Sequence, residues 1–333
     1  MNPITEFTRP SRDVMAGIAE DVARVEVALR EAVRSDVPLV EDVGRHTLDA
    51  GGKRLRPAFV ALSAKAVGRP YDPNRAVQLG ACLEMVHMAT LIHDDVIDHS
   101  DTRRGRPTAA ALFGNTGSIL SGDALLAKAM VILADDGDLA IIRAVSRAVV
   151  EMAEGEALEL ATRGNFELSE AEHRRILRMK TASFVECCCQ VGARLAAADD
   201  LVRDGLTEYG HHLGMAFQIV DDLLDYRGDR EATGKPIATD FREGCATLPL
   251  IALRDRLSDE ELAVVCRKFG NGVADDELRM IGEWMELRGA YAAAEEAAQA
   301  HVRAALEALS PVPTSDAKIL LQEIATFVLR RDA

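Results

Sequence analysis

One acidic pattern occurs twice in this chain, and that repeat constrains it more than anything else. Asp94-Asp95-x-x-Asp98 lies in Leu91–Thr108 (LIHDDVIDHSDTRRGRPT), and Asp221-Asp222-x-x-Asp225 in Phe217–Lys235 (FQIVDDLLDYRGDREATGK). Each copy sits in an apolar helical run. At 3.6 residues per turn Asp94 and Asp98 stack on one helix face, and Asp101 is expected to continue the line. Like charges at i, i+4 repel, so the arrangement asks for a cation. Carboxylates with no His or Cys at ligand spacing suit a hard ion, Mg²⁺ or Ca²⁺. Basic residues follow both copies, Arg103 and Arg104 after the first and Lys235 after the second. Metal-binding acids beside cations fit a diphosphate. A solvated helix end accounts for one copy; two copies on facing helices make a clamp for a small Mg²⁺ cluster on one diphosphate.

The rest of the chain narrows the reading. Its 333 residues contain no Pro/Gly/Ser-rich linker, so one large all-α domain spanning 1–333 is expected. Aromatics are 4% and strand-like alternation is scarce. A net charge of −15 argues against a nucleic-acid partner. Residues 1–12 hold no signal-like apolar region, and the longest apolar stretch, 118–134, is interrupted by Asp123 and Lys128. Cys187-Cys188-Cys189 would point three ways on a helix, unable to pair or share a metal. These features imply a cytoplasmic protein with reduced thiols and no transmembrane segment.

In chain order, residues 12–34 read as an amphipathic packing helix and Val40–Ala50 as a second, ended by Gly51-Gly52. Lys53, Arg54 and Arg56 then open a helix over Ala58–Val67; three cations at a helix N-terminus oppose the macrodipole unless an anion sits there. The helix Asn74–His93 carries His87 two turns before Asp94, on the same wall. Gly114–Gly117 reads as a turn, and Ser118–Leu133 as a helix whose Asp123 could support the site. On the long helix Leu139–Thr162 the side bearing Glu151, Glu154, Glu156 and Glu159 is expected to be mostly solvated. Ser169-x-x-Glu172 is a capping box for a helix running to Ala198, with Lys180 as a buried, phosphate-paired cation. The helix Gly205–Tyr226 delivers Gln218 and the second acidic set. The polar loop Gly228–Glu243, with Thr233-Gly234-Lys235-Pro236, could close over a bound diphosphate. Helices at 247–257, 258–269, 275–309 (two) and 316–331 offer packing and no visible chemistry.

Taken together, GGKRLRP (51–57), HDDVIDHSDTRRGRPT (93–108), KTAS (180–183), FQIVDDLLD (217–225), TGKP (233–236) and DFREGCATLP (240–249) resemble the trans-prenyltransferases, the isoprenyl diphosphate synthase or polyprenyl synthetase family. The resemblance implies a bundle of about ten core helices around a deep cavity, working as a homodimer. It implies 1′-4 head-to-tail condensation of isopentenyl diphosphate onto an allylic diphosphate (dimethylallyl, geranyl, farnesyl or geranylgeranyl) with three Mg²⁺. Carried over, Asp94 and Asp98 hold two Mg²⁺ and Asp221 the third, with Asp95, Asp222 and Asp225 in support and Asp225 counted with the metal set. Arg103, Lys180 and Lys235 bind the allylic diphosphate, while Thr181 and Gln218 line the reacting centre. Lys53, Arg56, His87 and Arg104 hold isopentenyl diphosphate. The sequence departs from the family at Glu159, where Gln is frequent, and at His173, where an aromatic is usual; neither position is a ligand in the family's pattern.

A class I terpene cyclase shares the first acidic motif but usually lacks a second DDxxD, and non-catalytic partner subunits typically lose one motif. Product length is read from the helix before Asp94. Ala89 and Thr90 stand where short-chain relatives carry an aromatic ring, with Val86 and Met85 deeper. Nothing large blocks the first turns, which resembles the long-chain branch (C30–C50); a C20, geranylgeranyl-type product is the alternative.

Overall fold

The structure, a computed structural model, describes residues 12–227 and 238–330, with side chains from Ile18 onward. Helices α1 (Arg12–Ala32), α2 (Pro38–Asp49), α3 (Leu55–Ala66) and α4 (Pro73–Ile97) lead to a ribbon of β1 (Thr102–Arg103) paired antiparallel with β2 (Arg106–Pro107). Next come α5 (Ala109–Asp136), α6 (Leu139–Thr162), α7 (Glu170–Leu177), a π-helical turn (Arg178–Ala182), α8 (Ser183–Leu195) and α9 (Asp200–Arg227). The remainder is α10 (Thr239–Glu243), α11 (Leu248–Arg254), α12 (Asp259–Lys268), α13 (Asp275–Leu287), α14 (Ala290–Ala308) and α15 (Asp316–Val328). The fold is all-α, as expected.

The helices begin where short polar side chains can satisfy free backbone donors. Asp72 accepts from Asn74 N ahead of Pro73, and Asp138 accepts from Ala140 N and Ile141 N. Both sequence-predicted capping boxes, Ser169/Glu172 and Ser258/Glu261, are present. Helix α4 is apolar nearly all round, which marks a core helix, and α1, α3 and α5 pack against it. Glycines set the closest approaches: a Cβ on Gly192 would lie 2.3 Å from Val60 O, bringing α8 against α3, and one on Gly214 would lie 2.5 Å from the Ala182 Cα.

Arg54 fixes the end of the bundle nearest the cavity. It caps α3 in a left-handed conformation (φ 47°) and donates to Glu26 (2.6 Å), Glu84 (3.1 Å) and Leu48 O (2.8 Å). It thereby ties α1, α2 and α4 to α3. Its guanidinium and Glu84 are both about 4% exposed, so removing it would leave a buried carboxylate unpaired, at a cost of about 3–5 kcal/mol. Of the three cations expected at one anion site, Arg54 is therefore structural.

Several expectations are corrected. Helix α4 ends at Ile97 with Asp98 as its C-cap, so Asp101 lies beyond the helix and does not extend the acidic line. A short helical stretch starts already at Ala109, and Gly114 (φ 75°, ψ 159°) is non-helical and breaks α5 there, at the start of the expected turn. The helix expected from Ser169 to Ala198 runs without a break from Glu170 to Leu195 but contains a π turn at Arg178–Ala182. Helix α5 is long and apolar enough to cross a membrane by length and composition, contrary to expectation. Yet α2 and α4 pack along it, and Lys128 donates to Ala32 O (3.1 Å) and to Arg34 O. The loop bearing Lys235 lies outside the described residues.

Gly192→Ala forces a methyl into the α3 backbone. The variant should keep its helical circular-dichroism spectrum but lose about 1–3 kcal/mol of stability in urea unfolding; an unchanged midpoint would mean α3 and α8 separate freely here.

Candidate active site

Helices α3, α4, α8, α9 and α15 enclose a cavity of about 810 Å³. Lys53, Arg56, His87 and Arg104 line one part of it, and Thr181, Leu213 and Phe217 another. The ribbon β1–β2 turns at Arg104-Gly105, with Arg104 at φ 52°. Arg104 reaches back to donate to Gly51 O, which joins the ribbon to the Gly51-Gly52 turn. Burial and then the neighbouring charges of Arg103, Arg54 and Arg56 lower the pKa of Arg104. His87 is held well below its ordinary value by burial, then by Arg56, Arg104 and Arg103, so it is neutral beside them. The buried Arg56 Nε has no hydrogen-bond partner. Mutually repelling cations around a cavity, one with an unsatisfied donor, form a site prepared for a polyanion.

The acidic groups stand in two sets. In the first, Arg103 Nε donates to Asp95 Oδ1 (2.7 Å) and Arg163 Nη2 to Asp98 Oδ1 (2.7 Å). Asp94 is pushed up to about 7 by burial and by Glu156, against the opposing pull of Lys180 and Arg103. In the second set, Asp222 is 3.1 Å from His173 Nε2 and accepts from Gln218 Nε2 (3.2 Å). Thr181 Oγ1 donates to Gln218 Oε1 (3.0 Å), joining the KTAS turn to this set. Asp225 accepts from Thr239 N (3.1 Å) and Asp240 N (3.0 Å) and so caps α10. Burial raises Asp225 despite those bonds, and burial with Asp225 and Asp222 raises Asp240 well above the carboxylate range.

Lys180 lies in the π turn, where a Cβ on Gly155 would come within 2.7 Å of its backbone nitrogen. This close α6 contact sets Lys180 Nζ 2.7 Å from Glu159 and 2.9 Å from Glu156. Burial works against its charge, but Glu159 and Glu156 outweigh that and hold it protonated. The expectation of a mostly solvated α6 face is thus corrected at Glu156 and Glu159, which turn in to pair with Lys180. The two departures from the family pattern, Glu159 and His173, both reach the site. Four groups were not assigned from sequence. Glu156, Arg163 and Glu243 carried no pattern of their own, and Asp240 was signalled only by the motif DFREGCATLP.

Among the described residues no three His, Cys, Asp or Glu side chains converge on one metal position. The all-oxygen donors nonetheless fit a hard cation. Asp94, Asp225 and Asp240 are half-buried carboxylates whose protonation is favoured by desolvation and then by neighbouring acids, which a divalent ion would offset. A diphosphate supplies the oxygens such a site lacks.

Of the chain-length positions, Met85, Val86 and Ala89 are buried, and none of the four lines the cavity. Ala89 shares a helix face with Cys82, which contacts Ala129 O (3.3 Å), and with His93, which lies against Gly122 of α5. That face is a helix–helix seam. Thr90, half-buried and donating to His87 O (2.8 Å), stands nearer the Asp94 side. Asp123 Oδ1 lies 3.3 Å from His93 Nε2, next to Asp94 in sequence. The C-terminal helix α15, expected to be packing alone, contributes Gln322 and Phe327 to the cavity, with Lys53 Nζ 5.9 Å from the Phe327 ring centre.

A fold of this class with this pair of acidic sets has close relatives. The polyprenyl synthetase family pattern matches residues 37–280, and the chain belongs to that family. It is 36% identical to the octaprenyl diphosphate synthase of Escherichia coli over 94% of this chain and 97% of that one. It is 34% identical to heptaprenyl diphosphate synthase component 2 of Geobacillus stearothermophilus over 95% and 97%. The structure matches the Caulobacter crescentus polyprenyl synthase, solved with calcium and isoprenyl diphosphate, at a TM-score of 0.91, 34% identity and coverage of 96% and 98%.

A carboxyl whose pKa rises on folding takes up a proton, so its ionised form weakens the metal-free protein as pH climbs from 3.8 through about 7. Asp94→Asn should therefore melt above wild type at pH 8 without metal, and the difference should shrink by pH 6. Mg²⁺ should raise the melting temperature of wild type more than that of the variant. Equal melting curves at pH 8 would show that Asp94 is not a strained carboxylate.

Proposed function

We propose that this chain is a Mg²⁺-dependent trans-prenyltransferase that adds isopentenyl diphosphate to an allylic diphosphate, repeatedly, to give a long all-trans polyprenyl diphosphate. The observation that carries the reading is one cavity with cations at one part and two acidic sets on α4 and α9 beside it. Lys53, Arg56 and Arg104 hold the diphosphate of isopentenyl diphosphate, and neutral His87 completes that wall. Asp94, Asp98 and Asp221, with Asp225 beside them, hold the metal ions, three by the family's pattern. Mg²⁺, when bound, supplies Lewis-acid stabilisation of the leaving diphosphate. Lys180 and Arg103 exchange carboxylate partners for phosphate oxygens as the substrate arrives, joined by Lys235 from the loop after α9. Leu213, Phe217 and Val185 keep water from the reacting carbons. Gln218 and Thr181 fix the position of Asp222.

The chain works as a homodimer in this reading. Leu112, Ile119, Leu120 and Val131 on α5 are exposed, an apolar face that a second copy would cover. Ile119→Arg should convert a dimer to a monomer in sedimentation; a dimer unaffected by it would place the interface elsewhere. Six free thiols, four of them buried, suit a reducing cytoplasm. The name of the Geobacillus relative implies a second component for that protein, so activity of this chain alone is the deciding point.

One assay with labelled isopentenyl diphosphate and the four allylic primers tests the function and the product length. Wild type should give C30–C50 products, and Asp94→Ala or Asp221→Ala should lose more than about 100-fold in kcat, about 3 kcal/mol, while remaining helical. Near-normal turnover by either variant would remove the clamp. Thr90→Phe and Ala89→Phe should shorten the product towards C15–C20, Ala89→Phe with loss of stability from the α4–α5 seam. Unchanged products from both folded variants would route the tail elsewhere.

A further inference from the structure

A second cavity, of about 380 Å³, opens between α6 and α8. That volume falls in the range of small-molecule sites, about 300–1,000 Å³. Its floor is small residues, among them Ala144, Ala148 and Ser183, and its rim carries Arg143, Arg147 and Arg194. Arg143 and Arg147 are one turn apart on α6, where like charges repel, and Arg194 faces them from the last turn of α8.

Many of the described arginines are paired with acids. Arg75 pairs with Asp136 and Asp138, Arg163 with Asp98, and Arg54 with Glu26 and Glu84. Among the described residues, Arg143, Arg147 and Arg194 make no ion pair and no side-chain hydrogen bond. The Nε of Arg194 is buried and unsatisfied. The two carboxylates lining the same cavity face other partners: Glu151 lies 3.6 Å from Arg178, and Glu186 lies 3.6 Å from His211. In a protein of net charge −15, cations are not left unpaired for want of acids. Planar guanidinium groups arranged around a polar cavity match the oxygens of a phosphate group.

The arginine end of this cavity is set back from the reaction, while its other end, at Ser183, is three residues from Lys180. Arg194 is fourteen residues past Lys180, and Arg143 thirteen before Glu156, about 20 Å along each helix at 1.5 Å per residue. We propose that the α6–α8 cavity is a second, non-catalytic binding site for a phosphate-bearing anion, held by Arg143, Arg147 and Arg194. The phosphate belongs either to a free small anion or to a phospholipid headgroup, and both offer the same oxygens to the three guanidiniums.

The full chain is titrated with inorganic diphosphate by calorimetry in EDTA, and floated with phosphatidylglycerol or phosphatidylcholine vesicles. Arg147→Gln/Arg194→Gln and Arg56→Ala are compared with wild type. A free anion is the source if the double variant loses one diphosphate site, weakened at least tenfold, while Arg56→Ala retains it. A lipid headgroup is the source if the double variant instead loses binding to phosphatidylglycerol vesicles alone. Arg147 is exposed, so Arg147→Gln by itself reports in the same direction should the double variant fold poorly. Diphosphate and vesicle binding both unchanged in the variants overturn the proposal. So does a variant that changes only the oligomeric state, because the arginines would then meet a second copy of the chain.

Discussion

Repulsion between like charges is the constraint on which the rest of this structure depends. Acids that disfavour one another's ionisation stand at the ends of α4 and α9 and on α10, arginines that disfavour one another's charge line the cavity, and neither group is there for stability. The helices must position these groups against their own electrostatics. That requires a core stable enough to absorb the cost, and α4 is the element that bears it. It is buried on nearly every face, is held at its N-terminus by Asp72 and Pro73, and delivers Asp94 and Asp98 only in its last turn.

The scaffold limits the strain by giving most site charges a temporary or structural partner. Arg103 rests on Asp95, Arg163 on Asp98, and Lys180 between Glu156 and Glu159. Asp225 is satisfied differently, by two backbone amides of α10. Those amides belong to the segment that resumes after the loop bearing Lys235, so the second acidic set also anchors the far end of that loop. Among the described residues Asp94 has no side-chain hydrogen bond or ion pair of this kind. It is raised to about 7, and a divalent cation would restore its charge.

Much of this was legible in the sequence because the informative signals were local. The spacing of Asp94 and Asp98, the Ser169 and Ser258 capping boxes, and the span Leu139–Thr162 depend on residues a turn or two apart, and all are found. What escaped notice was set by tertiary packing. The π turn at Lys180 exists because Gly155 of α6 and Gly214 of α9 let two helices press on it, and no residue inside RMKTA announces that. Arg54 and Arg56 look alike in GGKRLRP and both border the cavity, but Arg54 is taken up by Glu26 and Glu84 while the Arg56 Nε is left unpartnered. Glu156 and Glu159 look like a solvated helix face until α6 is docked on the π turn. Gln322 and Phe327 belong to the cavity only because α15 returns to cover α3.

The π turn also explains how one lysine can serve two states. A regular α-helix would advance Lys180 and Thr181 by 100° each and fix their directions relative to α8. The wider turn, wedged between glycines of two neighbouring helices, sends Lys180 to the α6 carboxylates and Thr181 to Gln218 of α9. The two acidic sets are thereby joined through one short segment: Lys180 acts electrostatically on Asp94, and Thr181 reaches Asp222 through Gln218. A polyanion with its metals drawing Lys180 off Glu156 and Glu159 would free one carboxylate near Asp94 and one near Asp240. That gain in negative charge favours the cations arriving with the substrate, so binding of the anion and of the metals reinforces each other.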